Sequence, residues 1–262
     1  MADGMKWPGR QVCGGRVSIF SMPEFVIPVL IVIGVAAVIL AVWWHYKQEK
    51  ERREALFALA QKLGWRFDPS RDTSHDNEYS HFEIFRRGHS RAAHNTLTGE
   101  TEIAGRRYTA KMGDFTYKVT TNSGKNSSTT TYRFSYLIVH MPYVDVPNLL
   151  IRREGLFDKL AGVFGRGSIS FESEEFSRRF FVNSPDRKFA FDVVTPRMME
   201  FLMQGKPAAI DIELGRCCLS DGSKRWKPEE FEANLAWLKE FFALWPEHLK
   251  VSLEQRASAG RS

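Results

Sequence analysis

The chain has only three cysteines, Cys13, Cys217 and Cys218, and the last two are adjacent. Adjacent cysteines seldom close a disulfide without strain, so no disulfide framework is expected and the composition suits a reducing compartment. There is no C-x-x-C pair, no H-E-x-x-H and no ordered Ser, His and Asp set, so zinc and nucleophilic hydrolase templates find nothing to match. The stretch Ser123-Gly124-Lys125-Asn126-Ser127 looks like the end of a phosphate-binding loop. However, Val119 stands where the first glycine is required, and the stretch joins two strand patterns instead of opening a helix. Gly162, Gly165 and Gly167, around Phe164 and Arg166, lack the strand-turn-helix setting of a dinucleotide site and read as a turn. No internal repeat is visible. None of these patterns calls for a cofactor, and a chain without them is expected more as a non-enzyme than as an enzyme.

What the sequence does contain is one long apolar run. From Phe25 to Trp44 no residue is charged. About 20 residues at 1.5 Å each cover about 30 Å, the thickness of a bilayer's hydrocarbon. Pro28 falls in the first turn, where it costs little, and Trp43, Trp44 and Tyr46 fall where the helix would leave the lipid. Residues 25–44 therefore read as a transmembrane helix. A cleaved signal peptide would have a shorter apolar core followed by small residues, whereas Trp43, Trp44 and His45 follow here. Residues 1–24 read as a leader, with Met22 a candidate true start of translation. After the span come Lys47, Lys50, Arg52 and Arg53, and before it only Lys6, Arg10 and Arg16. That difference favours a cytoplasmic C-terminal domain, more clearly so if translation starts at Met22.

The formal charge of +6 and the pI near 9.2 favour anionic partners. With 31 acidic residues interspersed among 37 basic ones, an anionic membrane surface explains the excess as well as nucleic acid does. The four basic residues after the span are the candidate headgroup contacts. Arg86, Arg87, Arg91, Arg106 and Arg107 would join them if folding brought them back to the surface. Nucleic-acid binding comes third: it would require the basic residues to form one stripe with stacking aromatics, and a charge map without that stripe would remove it.

Residues 45–64 read as a charged juxtamembrane helix, with Leu56, Leu59, Ala60 and Leu63 on one stripe ahead of Gly64. Residues 65–250 read as a soluble domain and 251–262 as a disordered tail. Strand alternation is clear at Phe115-Tyr117-Val119 and at Tyr132-Phe134-Tyr136-Ile138, with Thr121 to Thr131 expected as a long flexible loop between them. Further strands are expected at Ile169-Phe171, Phe180–Val182, Phe189-Phe191-Val193 and Ile210-Ile212-Leu214, with a turn at Ser184-Pro185-Asp186. Thr195-Pro196 opens one helix that ends at Gly205. Pro228-Glu229-Glu230 opens another, with Phe231, Leu235, Leu238 and Phe242 on one side, that stops by Pro246. The fold class is α+β: an N-terminal transmembrane helix followed by a mixed, mainly antiparallel β-rich domain with a few packed helices.

Two polar clusters are the candidate sites. His75, His81, His89 and His94 lie near Asp76, Glu78 and Glu83. If Phe82–Arg87 and Arg91–Leu97 formed a hairpin, His81 and His94 would lie on neighbouring strands and become the metal candidates. Glu172, Glu174 and Glu175 are the catalytic candidates, since paired carboxylates can divide acid and base roles. Yet Ser173 can cap a helix with Glu174 and Glu175 in its first turn, which is the structural reading of the same residues.

Several blocks resemble an uncharacterised family of bacterial single-pass membrane-anchored proteins. The likeness is carried by the apolar run with its basic helix and Leu63-Gly64-Trp65, by Phe171-Glu172-Ser173-Glu174-Glu175-Phe176 with Arg178-Arg179-Phe180, and by Pro196-Arg197-Met198-Met199-Glu200. The resemblance implies architecture and anchoring but no activity. The expected function is a membrane-tethered interaction or sensing domain facing the cytoplasm, its protein partner unidentified. The alternative is a membrane-bound enzyme using a carboxylate or histidine site.

Overall fold

The computed structural model describes residues 26–124, 126–143, 145–154, 167–205 and 208–259. The chain divides into two compact units, Met1–Glu49 and Lys50–Ser262. The described part of the first is helical and belongs to α1, Val26–Leu63. Its apolar side chains are exposed, with Ile31, Val35, Ile39 and Val42 all above 50%.

The second unit is built on one eight-stranded antiparallel sheet, as the α+β reading expects. In chain order the strands are β1 (Arg66–Asp68), β2 (His89–Ile103), β3 (Arg106–Ser123), β4 (Asn126–His140), β5 (Leu149–Arg153), β6 (Phe180–Asn183), β7 (Ala209–Glu213) and β8 (Arg216–Ser220). Their order across the sheet is β1-β2-β3-β4-β8-β7-β5-β6. Alternation assigns the two faces: Leu137 and Val139 of β4 join the larger core, while Phe134, Tyr136 and Ile138 join the smaller one.

The larger core collects the helices. Leu56, Leu59 and Ala60 of α1 pack there with α3 (Glu174–Arg179), α4 (Arg187–Val193), α5 (Pro196–Gln204), α6 (Pro228–Ala243) and α7 (Glu247–Ala259). The smaller face is covered by α2 (His75–Glu78) and a 3-10 turn at Glu83–Arg86, which bring Tyr79, Phe82 and Phe85 onto Phe115, Phe134 and Tyr136.

Local chemistry explains the boundaries. α1 ends at Gly64, whose φ of +68° suits glycine, and Trp65 N–H closes back on the Ala60 carbonyl at 2.8 Å. The Trp65 indole then lies over Gly99 and donates to the Glu100 carbonyl at 2.9 Å. A Cβ on Gly99 would overlap the indole ring, so Gly99→Ala should destabilise the protein by about 1–3 kcal/mol in thermal unfolding. A variant melting with the parent would show that the indole can move aside. Thr195 caps α5 by accepting from Met198 N–H, and Pro228 opens α6, both as the sequence predicts.

Five expectations change. Ile169-Phe171 is not a strand: residues 167–171 lie outside the sheet, and Ile169 reaches it only by donating its N–H to the Val182 carbonyl at 2.8 Å. Phe189-Phe191-Val193 is not a strand but α4: Asp186 accepts from Phe189 N–H as its cap, and Phe189, Ala190 and Val193 are buried while Phe191 is 44% exposed. Thr121–Thr131 is not a long loop, because β3 and β4 stay in register down to Ser123↔Asn126. Ile210 and Ile212 lie in β7, but Leu214 has left the strand for a turn with φ +49°. Finally, residues 251–259 are not a disordered tail. They belong to α7, which buries Leu249 and Leu253.

Candidate functional site

The smaller face of the sheet carries a cluster of titratable groups. His75, at the start of α2, is fully buried among aromatic rings, its centroid 4.6 Å from Tyr136, 4.7 Å from Tyr79, 4.7 Å from Phe85 and 5.6 Å from Phe115. Its Nδ1 faces the Tyr136 hydroxyl at 3.4 Å, and its buried Nε2 has no hydrogen-bond partner. Burial first, and then the charge of Lys111, pushes this imidazole down to about 3, so it is held neutral.

Tyr79 links this box to a second set of polar groups. Its hydroxyl meets His140 Nε2 at 3.2 Å, and two cations approach its ring: Lys111 Nζ at 5.1 Å and Arg216 Cζ at 5.6 Å from the centroid. Lys111 also holds Glu78 at 3.0 Å and Asp72 at 3.8 Å. His81 joins the same cluster, 6.2 Å from Tyr79 between centroids, with its Nε2 buried and unpartnered. Burial, then the Arg216 charge, lowers His81 to about 4, and the same two causes in the same order lower His140. The cluster is thus a store of neutral imidazoles beside fixed cations, chemically able to take up protons when its burial is relieved.

The opposite face holds a different constellation. Asp114 of β3 is completely buried and accepts from every side. Arg52 of α1 donates to both of its oxygens at 2.8 and 2.6 Å, Ser135 at 2.6 Å, Asn95 at 3.1 Å and Arg225 at 3.1 Å. Arg52 also donates to the Trp226 carbonyl at 2.6 Å, and Trp226 N–H donates to Ser135 Oγ at 2.9 Å. Burial acts to raise this carboxyl. It is outweighed by the Arg52 hydrogen bonds and charge, with Arg225 and Ser135 adding to them, so the group is held at about 2. A carboxylate so fully occupied has no lone pair left for substrate and serves as a junction between α1, the sheet and the segment before α6.

The residues chosen from sequence scatter. Glu172, Glu174 and Glu175 are all exposed, with Ser173 capping α3 and Glu175 bridged to Arg179 at 2.7 Å. They share no enclosed space, and the structural reading of this motif accounts for them. His81 and His94 are not on neighbouring strands, because Glu83–Arg86 forms a 3-10 turn while His94 lies in β2. Of the two, His81 does enter a histidine cluster, but its neighbour is His140, fifty-odd residues away, which no local pattern announces. Among the described residues no three His, Cys, Asp or Glu side chains are placed to share a metal ion. Cys217 and Cys218 are buried free thiols held protonated by that burial, which keeps them from acting as nucleophiles.

The four basic residues also separate. Lys47, Lys50 and Arg53 are exposed, Lys47 beside the Trp43 ring at 5.5 Å and Lys50 bridged to Glu54 at 3.7 Å, while Arg52 turns inward to Asp114. Most of the later arginines are engaged: Arg87 with Glu83, Arg91 with Asp76, Arg106 with Glu254 and Arg107 with Glu100. Gly162 and Gly165, proposed as a turn, lie outside the described residues.

No family model matches the sequence, and no curated protein matches it. Among solved structures, the crystal structure of the mycobacterial trehalose monomycolate transport factor A, TtfA, is similar over 75% of this chain and 95% of that chain, at 14% identity and a TM-score of 0.48.

Proposed function

We propose that this is a bacterial single-pass membrane protein whose α+β body is an interaction or sensing domain held at the cytoplasmic face. The observation that carries the reading is the apolar part of α1. Between Pro28 and Leu63 lies an 18-residue window of mean hydropathy 2.3, none of it buried. A soluble protein covers such a surface with its own core, and a bilayer is the other solvent that accepts it. The exposed Lys47, Lys50 and Arg53 fit contact with anionic headgroups, each worth about 1 kcal/mol if held near the surface. Arg52 is excluded from that set by its buried partner.

Anchoring is tested by fractionation. The full chain should stay with membranes through an alkaline carbonate wash, and the double substitution Ile33→Arg and Ile39→Arg should release it. Parent protein found in the wash would defeat the reading. Orientation is tested by C-terminal fusions: a bright fluorescent-protein fusion with an inactive alkaline phosphatase fusion is expected, and the reverse pattern would place the body outside. The carboxylate form of the enzyme alternative draws no support from its candidates, since Glu172 precedes α3, Glu174 and Glu175 lie in its first turn, and all three are exposed.

A further inference from the structure

β4 is much longer than the neighbour on its outer side. It runs from Asn126, yet β8 pairs with it only through Leu137–His140. Ser135 sends its backbone N–H outward to the Lys224 carbonyl at 3.1 Å. Peptide groups alternate between the two edges of an antiparallel strand, so the N–H and C=O groups of Ser127, Thr129, Thr131 and Arg133 point to that same outer edge. Among the described residues nothing pairs with them there. Asn126 to Arg133 are all exposed, while β3 pairs with the strand's inner edge without a bulge.

Natural sheets protect such an edge with lysine, proline or a bulge. Here the register is continuous, and Asn126 to Tyr132 contains neither a proline nor a charge. Threonine and tyrosine instead favour strand pairing. A single arginine gives the edge little means of choosing a charged partner. What it selects is an uncharged, β-branched strand with its own outer edge vacant, and β4 itself meets that description.

We infer that β4 pairs with β4 of a second copy, antiparallel about a two-fold axis at Thr130, joining the two sheets edge to edge. In that register Thr129 faces the partner's Thr131 and Ser127 faces the partner's Arg133, so the one charge never meets its own kind. The four outward-facing residues of each copy then exchange about eight main-chain hydrogen bonds. The inference concerns β4 alone and stands independently of membrane anchoring.

The test is disulfide trapping of the full chain in native membranes, in a Cys13→Ser background, with Cys217 and Cys218 left in place because they are buried. Thr130→Cys puts the two thiols on a non-hydrogen-bonded pair with Cα atoms about 4.5 Å apart, within disulfide range. Ser128→Cys puts them about 14 Å apart along the strands, beyond it. Mild oxidation should give at least about tenfold more covalent dimer from Thr130→Cys than from Ser128→Cys. Adding Thr131→Pro to Thr130→Cys removes an outward N–H while leaving the groups that face β3, so the dimer band should disappear. Should the proline unfold the protein, as judged by thermal melting, Thr129→Lys with Thr131→Lys charges the same edge and should also remove the band. Absence of dimer from Thr130→Cys, equal dimer from Ser128→Cys, or dimer that survives the edge substitutions would overturn the pairing.

Discussion

Replacing Arg52 by methionine is expected to cost the protein about 3–5 kcal/mol, the range found when one partner of a buried ion pair is removed. Asp114 is fully buried and Arg52 supplies hydrogen bonds to both of its oxygens, so the variant leaves a charge that water cannot reach. Arg225 remains at 3.1 Å and softens the loss without replacing the two-pronged contact. Arg52→Lys should recover only part of it, because an ammonium cannot make the paired bonds of a guanidinium and also reach the Trp226 carbonyl. Arg53→Met is the control. Its side chain is exposed, and the change should stay within about 0.5 kcal/mol. Thermal unfolding of the detergent-solubilised chain separates these cases, and equal melting of the Arg52 and Arg53 variants would end the claim that Asp114 needs this partner. The pair also has a defined acid limit. Because the folded carboxyl sits at about 2 and an unfolded one near 3.9, its stabilisation is complete above about pH 4 and is lost as pH falls towards 2.

That junction shows where sequence reading stops. The four clustered bases after the apolar run look alike on paper, and all four fit a membrane surface. Arg52 differs only because Asp114 lies opposite it, 62 residues away. The local signal was on the other partner: in β3, between inward-facing Met112 and the aromatic Phe115, a charged residue stands where a strand buried on both faces has no water to offer. Signals that act within a few residues read well. Thr195-Pro196, Ser173 with Phe176, and Pro228 set helix starts through bonds closed within one turn. Where two periods fit the same few residues, the shorter one misled. Phe189, Phe191 and Val193 alternate as a strand does, yet Phe189, Ala190 and Val193 share a helical face, and the Asp186 cap decides between them. The Ser- and Thr-rich stretch after Thr120 misled through composition. Threonine is at home in a strand, and the tight turn at Gly124, with φ +59°, lets both strands run on to Ser123 and Asn126. The pairing of Tyr79 with His140 across 61 residues had no local trace at all.

The histidine box predicts that the protein loses stability on mild acidification. His75 titrates at about 3 in the folded state, against about 6.5 for an unconstrained imidazole, with burial the main cause. Between those values the unfolded chain holds a proton that the folded chain refuses. Stability is therefore level above about pH 6.5, falls as the pH drops below it, and stops falling near pH 3. From pH 7 to pH 5 the loss from His75 alone is about 2 kcal/mol, or roughly 4–8 °C in melting temperature for a body of this size. Asp114 adds nothing in that window, since its titration lies lower. His81 and His140 are shifted in the same direction and steepen the slope, His81 with its own buried and unpartnered Nε2. His75→Phe keeps an aromatic ring against Tyr79, Phe85, Phe115 and Tyr136 and removes the proton site. Melting curves at pH 7 and pH 5 should then show a smaller drop in that variant than in the parent. An undiminished drop would mean that the proton uptake driving unfolding occurs elsewhere, with His81 and His140 the next residues to replace.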